Sequence, residues 1–90
     1  MVGNIVHREL AEPIFRETLK GLEDDQLESA AKSWIWQRET ALHGPYDEDE
    51  WHCDCIKQEC NRRARPEIFV HAENNILAQL RKTTELWSRS

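Results

Sequence analysis

Three cysteines and a histidine crowd into one short segment, His52-Cys53-Asp54-Cys55-x4-Cys60. Cysteine thiolates and histidine are the ligands that zinc prefers. If this segment is helical, however, Cys53 and Cys60 lie about 10.5 Å apart along the helix axis, and Cys55 faces another direction. The thiolates then cannot share one ion, and Cys53 and Cys60 are too distant for a disulfide. We therefore predict no metal site, on the condition that this segment is helical. We expect Cys53 and Cys60 to be small buried apolar side chains.

Glutamate precedes histidine by four residues at three places in the chain. The pairs are Glu39 and His43, Glu48 and His52, and Glu67 and His71. On a helix this spacing puts both groups on one face, as a metal centre or a proton-transfer pair would need. The di-iron pattern, however, is Glu-x2-His repeated on two helices, and it is absent. We interpret the pairs as exposed side chains that favour helix formation.

A dense basic patch is formed by Arg62, Arg63 and Arg65, with Lys57 a turn or two earlier. Such a run can contact phosphates, so nucleic-acid binding is an alternative function for the chain. The net charge of −5 opposes it, and no helix has the basic character of a DNA-reading helix. The simpler interpretation is a helix end that complements its own dipole or meets acidic residues of a neighbouring element.

Motifs of catalysis and cofactor binding are missing from the sequence. It has no nucleophile elbow, phosphate-cradling glycine loop, dinucleotide fingerprint or paired-carboxylate motif, and its serines have no recognisable triad context. We therefore predict that the protein is not an enzyme and that it needs no cofactor.

Size and composition indicate one globular domain over residues 1–90, with 39% hydrophobic and 32% charged residues. No apolar run is long enough to span a membrane, and Met1 to Val6 lack the features of a signal peptide. Together with three cysteines that are odd in number and closely spaced, this predicts a cytoplasmic protein with reduced thiols.

Glycine and proline divide the chain into helices. We expect a first helix near 12–20, begun at Pro13 and ended by a left-handed Gly21, with residues 1–11 either an arm or a further helical turn. The next helices are expected near 24–42, 46–65 and 66–87. No strand pattern is convincing, so the fold class is all-α, a compact bundle of about four helices that homodimerisation could complete.

The second helix has an apolar face with two exceptions. The face comprises Leu27, Ala30, Ala31, Trp34, Ile35, Ala41 and Leu42. Arg38 falls inside it and needs a carboxylate partner, for which we propose Glu73, within the chain or across a dimer. Trp36 points the opposite way and is a candidate contact residue for a partner.

The third helix is expected to bury Tyr46, Cys53, Ile56, Cys60 and Ala64, with Trp51 on a separate flank. The fourth is expected to bury Phe69, Ala72, Ile76, Leu77, Leu80, Thr83, Thr84 and Trp87.

Tryptophan and acidic charge are in excess, with four tryptophans in 90 residues. We therefore expect an accessory regulator or inhibitor that binds another protein, alone or as a homodimer, as do many small proteins of phages and mobile elements. The candidate contact residues are Trp36, Trp51, Asp47, Glu48, Asp49 and Glu50. The alternative remains a nucleic-acid-associated regulator that uses Lys57, Arg62, Arg63 and Arg65.

Overall fold

A computed structural model of the protein describes the backbone of residues 3–42, 44 and 46–89, and the side chains of residues 8–42, 44 and 46–85. The described residues form helices and no strand, which confirms the all-α prediction. The helices are α1 (Gly3–Lys20), α2 (Asp24–Thr40), α3 (Asp47–Arg62) and α4 (Glu67–Arg89). The roles predicted for His43 and for the side chain of Trp87 lie outside the described residues.

The first helix is longer than predicted, because α1 continues through Pro13. Proline removes one backbone N–H and crowds the preceding turn, so it usually ends a helix. Here Ala11 before the proline and Phe15 and Leu19 after it pack against the same core, and this shared packing offsets the lost hydrogen bond. The predicted left-handed geometry of Gly21 is also wrong: its φ is not positive, and its N–H donates to the Thr18 carbonyl at 3.1 Å.

The second helix begins at a capping box, in which the Glu23 backbone N–H donates to the Gln26 side chain at 2.9 Å. Its buried residues Leu27, Ala31 and Ile35 belong to the predicted apolar face. That face ends earlier than expected, since α2 stops at Thr40 and Ala41 is extended. As a result Leu42, which was expected in the core, is 92% exposed.

The third helix is buried on both flanks rather than on one. Cys53, Ile56 and Cys60 are buried as predicted, but so are Trp51 and Cys55 on the other flank. Tyr46, expected on the buried side, is 54% exposed because it lies just before the helix.

The end of α3 is a Schellman motif, closed when the Arg65 N–H donates to the Cys60 carbonyl at 2.9 Å. Ala64 takes the left-handed position of this motif with φ 59°. The third helix therefore stops before Ala64 instead of burying it on its apolar side.

The fourth helix buries Ile68, Phe69, Ala72 and Ile76, and Leu80 packs partly against the core. The rest of the predicted stripe is different. Leu77 is 38% exposed, and Thr83 and Thr84 are exposed.

α2 and α3 occupy the middle of the bundle. α2 packs against both α3 and α4, while α1 packs mainly on α3. Ion pairs of Arg63 and Arg65 with Asp24 hold the end of α3 and the start of α4 near the start of α2. A further pair, between Arg8 and Asp47, holds α1 beside the start of α3. Consecutive helices therefore run in opposite directions.

Candidate protein-interaction surface

Large apolar side chains are exposed where α2 ends and α3 begins. Trp36 is 42% exposed, Leu42 92% and Tyr46 54%. Trp36 projects from the side of α2 opposite its core face, as its position on the helix predicts. We call this region the α2–α3 end surface, and it comprises Trp36, Leu42, Tyr46, Asp47, Glu48 and Glu50.

Carboxylates give the α2–α3 end surface a negative charge. Asp47, Glu48, Asp49 and Glu50 form the first turn of α3, where the positive end of the helix dipole favours them. Asp47 accepts a hydrogen bond from Arg8 Nη1 at 3.2 Å and still has 80% of its side chain exposed. The Asp47 carboxylate is therefore both paired with α1 and largely exposed to solvent.

Two of the predicted contact residues are buried instead. Trp51 is only 4% exposed and Asp49 only 7%. Trp51 is covered because α1 packs on the flank of α3 that the sequence left open, and Arg8 caps its ring with the guanidinium carbon 5.9 Å from the ring centroid. Neither residue is available as an exposed contact.

Trp51 belongs to an aromatic stack that joins three helices. His52 lies between Trp34 and Trp51, with ring centroids 3.7 Å from each. Phe15 of α1 meets the His52 ring edge-on at 4.5 Å. His52 Nδ1 lies 2.6 Å from the Glu48 backbone oxygen. Because a carbonyl oxygen only accepts, Nδ1 is a protonated ring nitrogen that donates a hydrogen bond to it.

Sequence reasoning missed this stack because its members come from α1, α2 and α3. The available signal was the tryptophan count: Trp34 is on the predicted apolar face of α2, but Trp51 is among the residues predicted to contact a partner. Trp34 and Trp51 serve the interior, whereas Trp36 is exposed.

The three cysteines are free and buried, and Cys53 and Cys60 thus agree with their predicted burial. Burial raises the pKa of Cys53 to about 11, although the nearby Arg38 opposes the shift. Burial likewise raises the pKa values of Cys55 and Cys60. Among the described residues, no group of three or more His, Cys, Asp or Glu side chains is arranged to hold a metal ion.

The basic patch is largely neutralised within the chain. The buried Glu59 carboxylate accepts hydrogen bonds from Arg62 Nη2 at 2.6 Å and from Arg63 Nε at 2.7 Å. These bonds, that from Arg62 above all, lower the pKa of Glu59 to about 2 against the opposing effect of burial. Arg63 also donates to Asp24 at 3.0 Å and to the Leu19 carbonyl at 2.8 Å.

The other members of the basic patch differ in their surroundings. Arg65 pairs with Asp24 at 3.6 Å and with Glu67 at 3.5 Å, while Lys57 is exposed. Arg63 and Arg65 therefore join the end of α3 to the start of α2, as the simpler interpretation of the sequence expected, whereas Arg62 pairs only within α3.

Arg38 pairs with Glu73, as predicted from its place on the apolar face of α2. Its Nη2 lies 3.0 Å from Glu73 Oε2 of α4, and its Nε donates to Glu39 at 3.1 Å. The pair is internal to the chain and joins α2 to α4, so the predicted alternative of a pair across a dimer is not needed.

Comparisons with protein families, with curated proteins and with solved structures found no match for this chain. Within the described residues, no helix has both the length and the apolar character needed to cross a bilayer.

Proposed function

We propose that the chain is a non-catalytic protein-interaction module that binds another protein through the α2–α3 end surface. The observation that carries the proposal is the exposure of three large apolar side chains, Trp36, Leu42 and Tyr46, towards the end of α2 and the start of α3, where the first turn of α3 is acidic. Exposed apolar side chains with a polar rim are typical of protein interfaces, and tryptophan and tyrosine are enriched among the residues that dominate binding energy.

The acidic rim indicates the chemistry of the partner. Carboxylates at the border of an apolar surface favour a partner with basic residues around an apolar pocket, and they accelerate association at low salt. The proposed action is regulatory, because a chain that occupies a partner's surface controls access to it. The proposed location is the cytoplasm, where the three free thiols remain reduced.

The nucleic-acid alternative has less support. Arg63 is only 14% exposed in its side chain, and Glu59, Asp24 and Glu67 already pair with the arginines of the patch. Salt-sensitive retention of the purified protein on duplex or single-stranded DNA, lost in an Arg65→Ala variant, would favour this alternative.

Site-specific photo-crosslinking in the native host tests the proposal. A photoreactive amino acid replaces Trp36 in one variant and Asp25, an exposed residue at the opposite end of α2, in the control. We expect one discrete protein adduct from position 36 and none of the same mass from position 25. Equal adducts from both positions, or adducts to nucleic acid alone, would contradict the proposal.

Once the partner is identified, its affinity tests the roles of individual residues. Trp36→Ala should weaken binding by about 30-fold, the effect of removing a dominant interface residue. Glu50→Gln should mainly slow association at low salt, and the difference should disappear at high salt. An unchanged affinity of the correctly folded Trp36→Ala protein would eliminate the α2–α3 end surface as the binding site.

A further inference from the structure

A cleft of about 280 Å³ opens between the last turns of α1 and the second half of α3. Two of the residues that line it, Leu19 and Cys55, are only 1% and 2% exposed and give it an apolar base. We call this cavity the α1–α3 cleft. Its polar lining consists of Arg16, Lys20, Gln58, Glu59 and Arg62.

The hydrogen-bond acceptors that line the α1–α3 cleft are already engaged. The Glu59 carboxylate accepts two hydrogen bonds from Arg62 and one from Arg63. Gln58 Oε1 accepts a hydrogen bond from Arg16 Nη1 at 2.6 Å. A ligand that offers hydrogen-bond donors would therefore have to displace bonds that the folded chain already makes.

Hydrogen-bond donors in the cleft are in surplus. Arg62 bonds to Glu59 through Nε and Nη2, which leaves its Nη1 group without a partner among the described residues. The side-chain NH₂ group of Gln58 also has no partner in the described part of the chain. The Lys20 ammonium pairs with Glu17 at 3.2 Å, but both side chains are exposed, and such a surface pair contributes little. The cleft is therefore suited to a ligand that accepts hydrogen bonds.

Charge favours a ligand of the same kind. Of the described residues that line the α1–α3 cleft, three are cationic and one is a carboxylate. Glu12 and Glu17, which pair with Arg16 and Lys20, are not among these lining residues. This local excess of positive charge suits a small dianion, whereas the net charge of −5 on the whole chain repels a long polyanion such as DNA.

We propose that the α1–α3 cleft binds a small organic phosphate monoester. The phosphate group carries close to two negative charges at neutral pH, and its acceptor oxygens match the donors of Lys20, Gln58 and Arg62. The organic part lies against Leu19 and Cys55. The volume of the cleft is just below the ~300 Å³ at which pockets for drug-sized ligands begin, so this organic part is short.

This inference is independent of the proposed function, because the α2–α3 end surface uses the first turn of α3 and the cleft uses the second half of that helix. Trp36→Ala should leave binding of the phosphate ester unchanged. Lys20→Gln should leave photo-crosslinking from position 36 unchanged. The failure of one proposal can therefore be distinguished from the failure of the other.

Amide NMR spectra of isotopically labelled protein, recorded at low salt during titration with ethyl phosphate, test the proposal. We expect saturable shifts confined to α1 around residues 16–20 and α3 around residues 55–62, with a dissociation constant of ~1 mM or below. Inorganic phosphate should bind about threefold more weakly, because it lacks the apolar part. Both phosphates should bind more tightly as the pH rises through about 6, where the second negative charge appears, whereas sulfate, a dianion throughout, should not.

Lys20→Gln removes a cationic side chain from the cleft and should weaken binding of ethyl phosphate about tenfold at low salt. The matched control is Lys32→Gln, because Lys32 also pairs with a glutamate one turn away, Glu28 at 3.3 Å, but lies on α2 outside the cleft. It should leave the dissociation constant within about twofold. Circular dichroism confirms that each variant is helical.

Three results would contradict these expectations. A titration without saturable shifts, or with shifts elsewhere in the protein, would overturn the proposal. Equal weakening by Lys20→Gln and Lys32→Gln would also overturn it, because the ligand would then respond only to the net charge of the chain. Ethyl phosphate that binds no more tightly than inorganic phosphate would refute the contact of the organic part with Leu19 and Cys55.

Discussion

Replacing Glu59 with glutamine should test whether the buried ion-pair cluster holds the bundle together. Glu59 is only 6% exposed, and its carboxylate accepts hydrogen bonds from Arg62 and Arg63. Glutamine preserves the size of the side chain but removes its charge, and it leaves Arg63, with 14% of its side chain exposed, without its closest counter-charge. Arg63 in turn holds Asp24 and the Leu19 carbonyl, so the change acts on the junction of α1, α2 and α3.

The magnitude follows from the pKa of Glu59, which falls from 4.5 to about 2 in the folded protein. A shift of this size corresponds to about 3 kcal/mol of stabilisation of the folded state at neutral pH. Because the folded-state pKa lies below that of the unfolded chain, this stabilisation is fully present above pH 4.5 and is lost as the pH falls towards 2. The difference between wild type and Glu59→Gln should therefore shrink in that same interval.

Urea unfolding followed by tryptophan fluorescence and by circular dichroism measures the effect, at one chain concentration for every variant. Asp54→Asn is the matched control, since it removes a carboxylate from the same helix at an exposed position. We expect the control to change the free energy of unfolding by no more than about 0.5 kcal/mol. A Glu59→Gln protein as stable as this control, or a destabilisation that does not depend on pH, would refute the assigned role of the cluster.

Further predictions concern three other features. Glu73→Gln should destabilise the protein by about 1 to 3 kcal/mol, measured by urea unfolding, because it deprives the mostly buried Arg38 of a charged partner. The three thiols are buried, and the pKa of Cys53 is about 11, so they should react with a thiol-specific reagent at pH 8 only as fast as the protein unfolds. Fast labelling of the native protein would contradict their burial. Ala64→Gly should raise the free energy of unfolding by about 1 kcal/mol, because glycine adopts the left-handed φ of 59° without strain; a destabilised glycine variant would show that Ala64 is not strained.

Much of the fold could be predicted from local pattern. The buried face of α2 and the Arg38 to Glu73 pair both follow from helical spacing combined with the cost of an unpaired charge. What could not be predicted was which side of each helix would meet a neighbour. α3 shows the difficulty, because its two buried flanks follow from lying between α1 and α2, and no periodicity within α3 encodes that position.

Packing between helices also decided which candidate contact residues are exposed and which are buried. Trp36 lies on the outer side of α2, so its exposure followed from the helix alone. Trp51 lies on a flank of α3 that only the packing of α1 covers. α1 also includes the turns before Pro13, where Arg8 contacts the Trp51 ring and Asp47, and Ala11 packs on the core. Helix propensity predicts a break at Pro13, but α1 is continuous there because it packs on its neighbours on both sides of the proline.

The residues whose polar and aromatic contacts hold the helices together differ from those proposed to bind a partner. The Glu59 cluster joins three helices at one end of the bundle, and the stack around His52 joins three helices along its middle. Trp36 belongs to neither group, and it is 42% exposed. A loss of binding in a Trp36 variant whose helix content and stability are unchanged can for that reason be assigned to the surface itself.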